Sequence, residues 1–499
     1  MRRLRHRRTP APAAGTRPPL AAHAVVVGAG LGGLAAAQAL SRHVERVTVI
    51  ERDDLPERPV PRAGVPPSRH VHVLQPGGLA ALERLVPGVA ADLVAAGAVP
   101  LRIPTDLLWL APAGWVPRFP ALDRHVLLSA SRELLEWGVR RRVFESPQVL
   151  VRSGLDVRGL VVEHGRVRGV EVRSRRAGSD GPTVAIDADL VVDAGGRRSP
   201  AARWLVAAGL APPVETEVDS GLAYASRLYR RSAGDTPGWR AAIVGSRPSH
   251  EPRGAILAPL EGNRWMLTVS SVGGDVPPTD EDGFGAFVRS LRGPDIGEFV
   301  SRAEPLGPIA AFRRTDNRRR HYEHLARPLD GFVAVGDALC ALNPLYGQGM
   351  GVAALAAEAL DTAVADHLAD HRTMDGVGAA AQRAVARPAA AAWDMATGLD
   401  LRYPGVRGDG RSRARRGVDA VMGRYLRRVG AAATTDPRVN AAQVDVIGQL
   451  APSPSLLRPA VAVRALRPGR RTPSAKPQWS AGPATTPAPA ARWDAAEAG

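Results

Sequence analysis

The chain predicts an α/β fold: a central parallel sheet, a second and mostly antiparallel sheet, and a helical C-terminal part. Three observations predict it. A strand, a glycine-rich turn, a helix and a second strand run through His23–Ile50, which is one βαβ unit. Apolar strand-like runs that end in glycine return at LVVDAGG and GFVAVGDA, far along the chain. Between them, residues 216–305 are poor in helix signal and rich in pieces such as LAYASRLYR, GAILAPL and RWMLTVSSV, which read as antiparallel strands.

In order, His23–Val27 is β-rich, Leu34–Leu40 is an alanine-rich helix, and Val47–Ile50 is a strand covered on both faces. PRAGVPPSRHVHVLQPGG is a proline-rich loop that ends in a helix near Leu79–Leu85. LLWLAPAGWVPRF alternates about a Pro-Ala-Gly turn, as a hairpin does. HVLLSASRELLEWGVRRRV reads as one helix, with Leu127, Leu128, Leu134, Leu135 and Val139 roughly on one face. GLVVEHGRVRGVEVRSR is a hairpin turning at His164-Gly165. GMGVAALAAEALDTAVADHLAD is a helix, and the pattern stays helical to Leu450. The tail from Pro452 is rich in Pro, Ala, Ser and Thr, and disorder is expected beyond Arg471.

The 499 residues, 45% hydrophobic, suffice for two or three structural units. The net charge of +17 is almost wholly arginine, Lys476 being the single lysine. With so much Ala, Gly and Pro, this bias points to base composition of the gene rather than to a nucleic-acid partner, and no aromatic-interleaved basic motif is present. One cysteine excludes a disulfide framework and a CxxC metal site, and a reducing, cytoplasmic setting is expected. Prolines follow the N-terminal arginines where a signal peptide needs an apolar run, so residues 1–21 read as a disordered basic arm.

Chemistry enters with GAGLGG. Gly28, Gly30 and Gly33 match GxGxxG after a strand and at the start of a helix. The first allows the tight turn, the second lets a pyrophosphate approach the backbone, and the third allows helix and strand to pack. The helix N-terminus adds free N–H groups for phosphate. Glu51, at the end of the second strand, suits the two ribose hydroxyls of a dinucleotide.

Two later stretches complete a signature. VVDAGGRRSP, Val191–Pro200, and GDALCALNPLYGQGM, Gly336–Met350, follow GAGLGG in the order and at the distances of class A FAD-dependent monooxygenases. The chain resembles this para-hydroxybenzoate hydroxylase-like family over about residues 22–370, with PRAGVPPSRHVHVL leaning toward its squalene-epoxidase-like and polyether-epoxidase-like branch. The resemblance implies a glutathione-reductase-like FAD-binding domain from residues 22–104, 124–215 and 306–370. It implies a smaller substrate domain from 105–123 and 216–305, a helical region over 371–451 and a mostly disordered tail over 452–499. It carries cofactor contacts to Glu51, Arg52, Arg62 and Arg132, to Asp193 and Gly196 of the second motif, and to Asp337, Pro344, Gly347, Gly349 and Met350 of the third. Asp337 would bind a ribityl hydroxyl. The helix opening near Gly349 would aim its dipole at the flavin pyrimidine. Gly195 stands where the family often has Ser or Thr, so one hydroxyl is missing.

Other conspicuous residues read more plainly. Cys340 is a small buried hydrophobe beside the cofactor, with no second cysteine. His70 and His72 lack a third ligand and do not mark a metal site; His70 is the one weak catalytic candidate, near flavin or substrate. Trp109, Trp115, Phe119, Trp239 and Trp265 line a pocket or pack a core. LLRPAVAVRALRPGRR either packs on the body or touches a membrane surface.

The activity implied is insertion of one oxygen atom from O₂ into an apolar substrate of secondary metabolism, by epoxidation or hydroxylation, with NAD(P)H as reductant. No phenol-deprotonating base is marked, which favours epoxidation. A flavin reductase of the geranylgeranyl-reductase type, a flavin halogenase and a non-catalytic flavin binder are the rivals. The halogenase lacks support because neither a WxWxIP motif nor a lysine outside the tail is present.

Overall fold

The computed structural model describes residues 20–64, 66–177, 181–231, 237–248, 250–313, 315–408, 413–467 and 475–479. The N-terminal arm to residue 19 and most of the tail lie outside the described residues. Strand β1, Leu20–Val27, leads into helix α1, Leu31–Leu40, and back to strand β2, Val44–Glu51. The sheet they found has five parallel strands in the order Phe332–Ala334, Leu190–Asp193, β1, β2, Val149–Ser153. Four of its five strands are mostly buried apolar residues, because helices or further strands cover both faces. Four strand ends of this sheet matter: Val27 and Ile50 flank the glycine turn, Asp193 pairs beside Val27, and Ala334 precedes the Gly336–Met350 stretch.

The second unit is an eight-stranded, largely antiparallel sheet built from 107–115, 223–271 and 304–312. It therefore extends past the expected boundary at 305. One core of this unit consists of Trp239, Trp265 and Phe299, whose rings lie 5.0–6.0 Å apart, together with Phe284 and Phe287; the two phenylalanines come from the helix Glu281–Arg289, and Phe299 from the helix Asp295–Arg302. Trp239 and Trp265 are thus core residues and line no open pocket. The two helices break the helix-poor reading of 216–305: Phe284, Phe287, Ile296 and Phe299 each seal an amphipathic face that spans barely two turns.

Two further expectations are corrected. Val126–Ser129 is a strand between Val73–Leu74 and Val99–Arg102, and the helix begins only at Arg132, capped by Ser131 Oγ accepting from Leu134 N–H at 3.1 Å. Leu127 and Leu128 thus never share a helical face with Leu134; the cap residue divides the run. The tail is also more ordered than expected. Ser453–Leu457 and Pro459–Leu466 are helical, burying Leu456, Val461 and Ala465 and exposing Leu457, Val463 and Leu466. Further on, Trp479 lies under the Arg118 guanidinium and Lys476 pairs with Asp295. No helix among the described residues is long and apolar enough to cross a membrane.

Candidate functional site

The glycine turn behaves as its spacing demands. Gly28 sits at φ +102°, and a Cβ there would stand 2.6 Å from the Ala194 carbonyl oxygen. A Cβ on Gly33 would stand 1.9 Å from the Gly28 carbonyl oxygen, so helix and strand touch backbone to backbone. Gly30 differs: a Cβ there would meet nothing within 4 Å. Gly30 is the N-cap of α1 and no side chain caps the helix, so its first N–H groups point into open space.

Glu51 is buried beside this turn. Its carboxylate accepts from Ala29 N–H at 2.8 Å and Asp53 N–H at 3.1 Å, and pairs with Arg62 at 3.1 Å. Arg62 also pairs with Asp53 and, at 2.7 Å, with Glu136. Burial opposes that cation, but the hydrogen bond and charge of Glu136, with Glu51 and Asp53, raise its pKa. Arg62 thus holds three acids, Glu51 among them. Arg52 projects away, 57% exposed, and nothing in the structure ties it to the turn.

Asp193 is fully buried and committed to its own loop. It accepts from Gly195 N–H at 2.9 Å and from Ser199 Oγ at 2.5 Å, and burial raises its carboxyl. Ser199 thus supplies to Asp193 a hydroxyl where Gly195 offers none. Asp193 thereby fixes its own loop; Gly196, at φ +75°, completes the turn, and a Cβ there would meet nothing within 4 Å.

Asp337 is the opposite case. It is exposed, yet protein surrounds the groove it faces; that burial raises its carboxyl while Arg197 and Arg132 pull it down. Its carboxylate makes no hydrogen bond or ion pair among the described residues. Arg132, on the first turn of its helix, has a buried Nε with no partner and stands 3.7 Å from Glu136. Pro344 is exposed, Gly347 lies at φ +62°, and the helix Gly349–His371 opens with no side-chain cap. Met350 is buried under that first turn.

These atoms test whether FAD fits. An uncapped helix start beside an open Gly30, a carboxylate and a buried guanidinium Nε without partners among the described residues, and a second uncapped helix start leave polar groups that protein does not use. They suit phosphate, ribityl hydroxyls and a ring on which negative charge develops. The residues fit the group.

Several site residues carried no sequence signal. Asp400, from the helix Val377–Asp400, is fully buried and accepts from Asn317 Nδ2 at 2.6 Å, Asn343 Nδ2 at 2.8 Å and Tyr346 Oη at 2.8 Å, which fixes the turn Pro344–Tyr346. Gly351 lies under Gln449, whose Nε2 donates to the Gln348 carbonyl at 3.2 Å. Gln449 takes φ +64°, uncommon without glycine. Glu136 showed only as one charge on an arginine-rich helix. Cys340 is buried, with its thiol pushed up to about 12 by burial, as expected of a packing residue. His70 Nδ1 meets Ser226 Oγ at 2.7 Å and His72 Nδ1–H donates to the His70 carbonyl at 2.8 Å.

Known proteins agree with this architecture. A model of NAD(P)-binding Rossmann-like domains matches residues 26–56. Protein Rv3254 of Mycobacterium tuberculosis is 34% identical over 425 residues, which cover 83% of this chain and 87% of that protein. A 3-(3-hydroxy-phenyl)propionate/3-hydroxycinnamic acid hydroxylase of Burkholderia vietnamiensis is 30% identical over 229 residues, 44% of this chain and 35% of its own length. Among solved structures, a triple mutant of the flavin-dependent brominase Bmp2 superposes with a TM-score of 0.60 at 16% identity, over 85% of this chain and 93% of its own. The p-nitrophenol 4-monooxygenase PnpA of Pseudomonas putida gives 0.57 at 18%, over 88% and 100%. At such identities the structural likeness concerns the fold.

Proposed function

The chain belongs to one family with protein Rv3254 of Mycobacterium tuberculosis, and from that premise we propose that it is a class A FAD-dependent monooxygenase, which uses NAD(P)H and O₂ to insert one oxygen atom into an apolar small molecule in the cytoplasm. The observation that carries the reading is the convergence of the open Gly30, Asp337, Arg132 and the Gly349 helix start on one groove, each with an unused polar group or free space. Bound there, FAD supplies two-electron reduction by NAD(P)H and transfer of one oxygen atom from O₂.

The chain's own residues do the rest. The α1 N-terminus and Gly30 would hold pyrophosphate, and Glu51, paired with Arg62, would accept ribose hydroxyls. Asp337 holds the ribityl chain. The Gly349–His371 helix start offers N–H donors and a positive dipole to the ring end, and Asp400 keeps the turn before it in place. The substrate side is walled by Tyr224, Leu222, Val272, Tyr403 and Phe312, which cluster with Leu345 of that turn and exclude water.

The purified protein should carry a flavin chromophore, oxidise NAD(P)H and consume O₂ in step with product once substrate is present. Colourless protein that takes up no FAD would sink the reading. A flavin reductase acting on an alkene is the second reading; product formation under nitrogen would favour it. For halogenation nothing comparable speaks, since Lys476 is engaged by Asp295 and Trp115.

A further inference from the structure

The segment Ser68–Leu74 brings His70 against the second sheet, where three hydroxyl or amide groups follow one another. Val71 N–H donates to Thr268 Oγ1 at 3.1 Å. Thr268 Oγ1 and Ser226 Oγ are 2.6 Å apart, and Ser226 Oγ is 2.7 Å from His70 Nδ1. An amide can only donate, so Thr268 receives that bond and its own proton needs an acceptor. Among the described contacts only Ser226 Oγ offers one. The Ser226 proton then goes to His70 Nδ1. In the reverse direction, from Nδ1–H to Ser226 to Thr268, the last proton has no acceptor among the described residues. One direction places every proton, and it leaves the His70 proton on Nε2.

The ring's surroundings say what that N–H can meet. His70 stands edge-on to Tyr224, with centroids 4.5 Å apart and planes at 83°, and 6.0 Å from Phe312. Both aromatics belong to the cluster that includes Leu345 of the flavin-facing turn. His70 is 6% exposed, and its Nε2 is not among the sealed polar atoms without partners, nor does a described residue bond it. Nε2 is thus unbonded by any described residue, on a ring that packs against the apolar wall beside the turn.

We propose that His70 is the substrate-orienting hydrogen-bond donor of this site, fixed by Val71, Thr268 and Ser226 with its proton on Nε2, and that it selects an unsaturated, largely apolar substrate bearing a carbonyl or phenolate oxygen. The proposal rests on the monooxygenase reading and narrows it. His70 is no general base, because Ser226 occupies its Nδ1 lone pair and Nε2 already carries a proton. Burial, with the Arg69 charge, lowers its pKa to about 4, so the ring stays neutral. A plain hydrocarbon alkene would leave this N–H unpaired in an apolar wall, whereas an oxygen acceptor satisfies it. Sites built around such a bond reject analogues that lack the partner. His72 is the complementary case. Its Nδ1–H is committed to a carbonyl, so its Nε2 carries a lone pair, and its charge coupling is to Arg132 of the cofactor groove.

The test uses the FAD-loaded full chain. Long-range proton–nitrogen correlations on nitrogen-15-labelled protein, with the His70 signal assigned by its loss in His70→Gln, should show a neutral Nε2–H tautomer at pH 7. In Ser226→Ala the exclusive Nε2–H pattern should be lost. An Nδ1–H or charged ring in the wild type overturns the proposal. The ligand arm uses p-nitrophenolate, with nitrobenzene as the analogue lacking the oxygen. The wild type should prefer p-nitrophenolate by about 10- to 100-fold, the span of one hydrogen bond to a charged acceptor. His70→Leu should remove that preference and His70→Gln, which keeps an N–H donor, should restore part of it. No preference in the wild type, or one that survives in His70→Leu, also overturns it. The tautomer is read without turnover, so a chain that fails to consume O₂ would defeat the functional reading and leave this result distinct.

Discussion

Gly30→Ala and Gly33→Ala should separate binding from folding in one short turn. At Gly33 a methyl carbon would stand 1.9 Å from the Gly28 carbonyl oxygen, and 3.0 Å from its carbon. Neither is the end of a flexible side chain, so strand and helix must part. Such overpacking destabilises by about 3 kcal/mol, a fall in Tm of roughly 3 °C for a chain of this length. At Gly30 the backbone lies at φ −72° and ψ 175°, which alanine adopts freely, and a methyl meets nothing within 4 Å. Loss of glycine's favour at an N-cap and the gain from a stiffer unfolded chain nearly cancel, each being under about 1 kcal/mol. The methyl would instead occupy the space a pyrophosphate needs, at the loss of one charge-assisted N–H bond. That is about 2–3 kcal/mol, or a 30- to 150-fold rise in the Kd for FAD, roughly. Thermal melts of the FAD-free proteins and flavin fluorescence titrations give both numbers. Wild-type FAD affinity in Gly30→Ala, or a melt as low as that of Gly33→Ala, would refute the assignment of the groove.

Other outcomes follow from single contacts. Asp337→Ala should lose FAD by at least about tenfold while its FAD-free melt stays near wild type, since no protein group pairs with that carboxylate; a large loss of Tm would contradict this. Asp400→Ala strips the shared acceptor from Asn317, Asn343 and Tyr346, three buried donors, and should lower stability by about 3 kcal/mol. Cys340, its thiol pushed up to about 12, should react with a disulfide reagent only on unfolding; rapid labelling of native protein would show otherwise. Burial alone would raise the Asp445 carboxyl, but hydrogen bonds from His125 and Arg124 depress it to about 2. A depressed acid stabilises above its unfolded pKa, so its contribution, about 1 kcal/mol after screening, should be complete above pH 4. It should fade as pH falls toward 2, and Asp445→Asn should flatten that part of the stability curve.

How much of this could be read beforehand depends on how far apart the partners lie. The glycine turn spans six residues, so its geometry is local and spacing alone implies an open Gly30 and a tight Gly33. The open state of Asp337 was legible for the same reason, because the turn that presents it is contiguous. The ion pairs of Arg62 were hidden because Glu51 and Asp53 arrive from the end of β2 and its following loop and Glu136 from a helix over eighty residues later, and a sequence cannot show that an arginine's donors are engaged by acids. The His70 relay is hidden more deeply: Ser226 lies 156 residues away on a strand that pairs beside Thr268. The helix expected through Leu127 failed on a local signal that was present, Ser131 before Glu133, outweighed by a leucine periodicity that a strand edge happened to share.

The C-terminal helices change what counts as the site. By likeness alone the cofactor domain ends near residue 370, and the region beyond would be an appendage. Yet the turn Pro344–Tyr346 is held by Asp400, and the first turn of the Gly349–His371 helix is covered by Gln449. Gly77 N–H donates to the Gly448 carbonyl at 2.7 Å, and a Cβ on Gly77 would stand 2.1 Å from the Gln449 carbonyl oxygen. A Cβ on Gly78 would stand 2.3 Å from Gly351 Cα, so two helix starts and the end of a third meet with almost no side chain between them. Backbones that approach this closely leave no room for independent motion. The small residues of Gly336–Met350 therefore answer to two neighbours. On one side they admit a flat ring, and on the other they admit the Gln449 turn. The positive φ of Gln449 marks where the chain accepts strain to close that second side. A cofactor site that looks complete by residue 370 is, in this protein, finished eighty residues later.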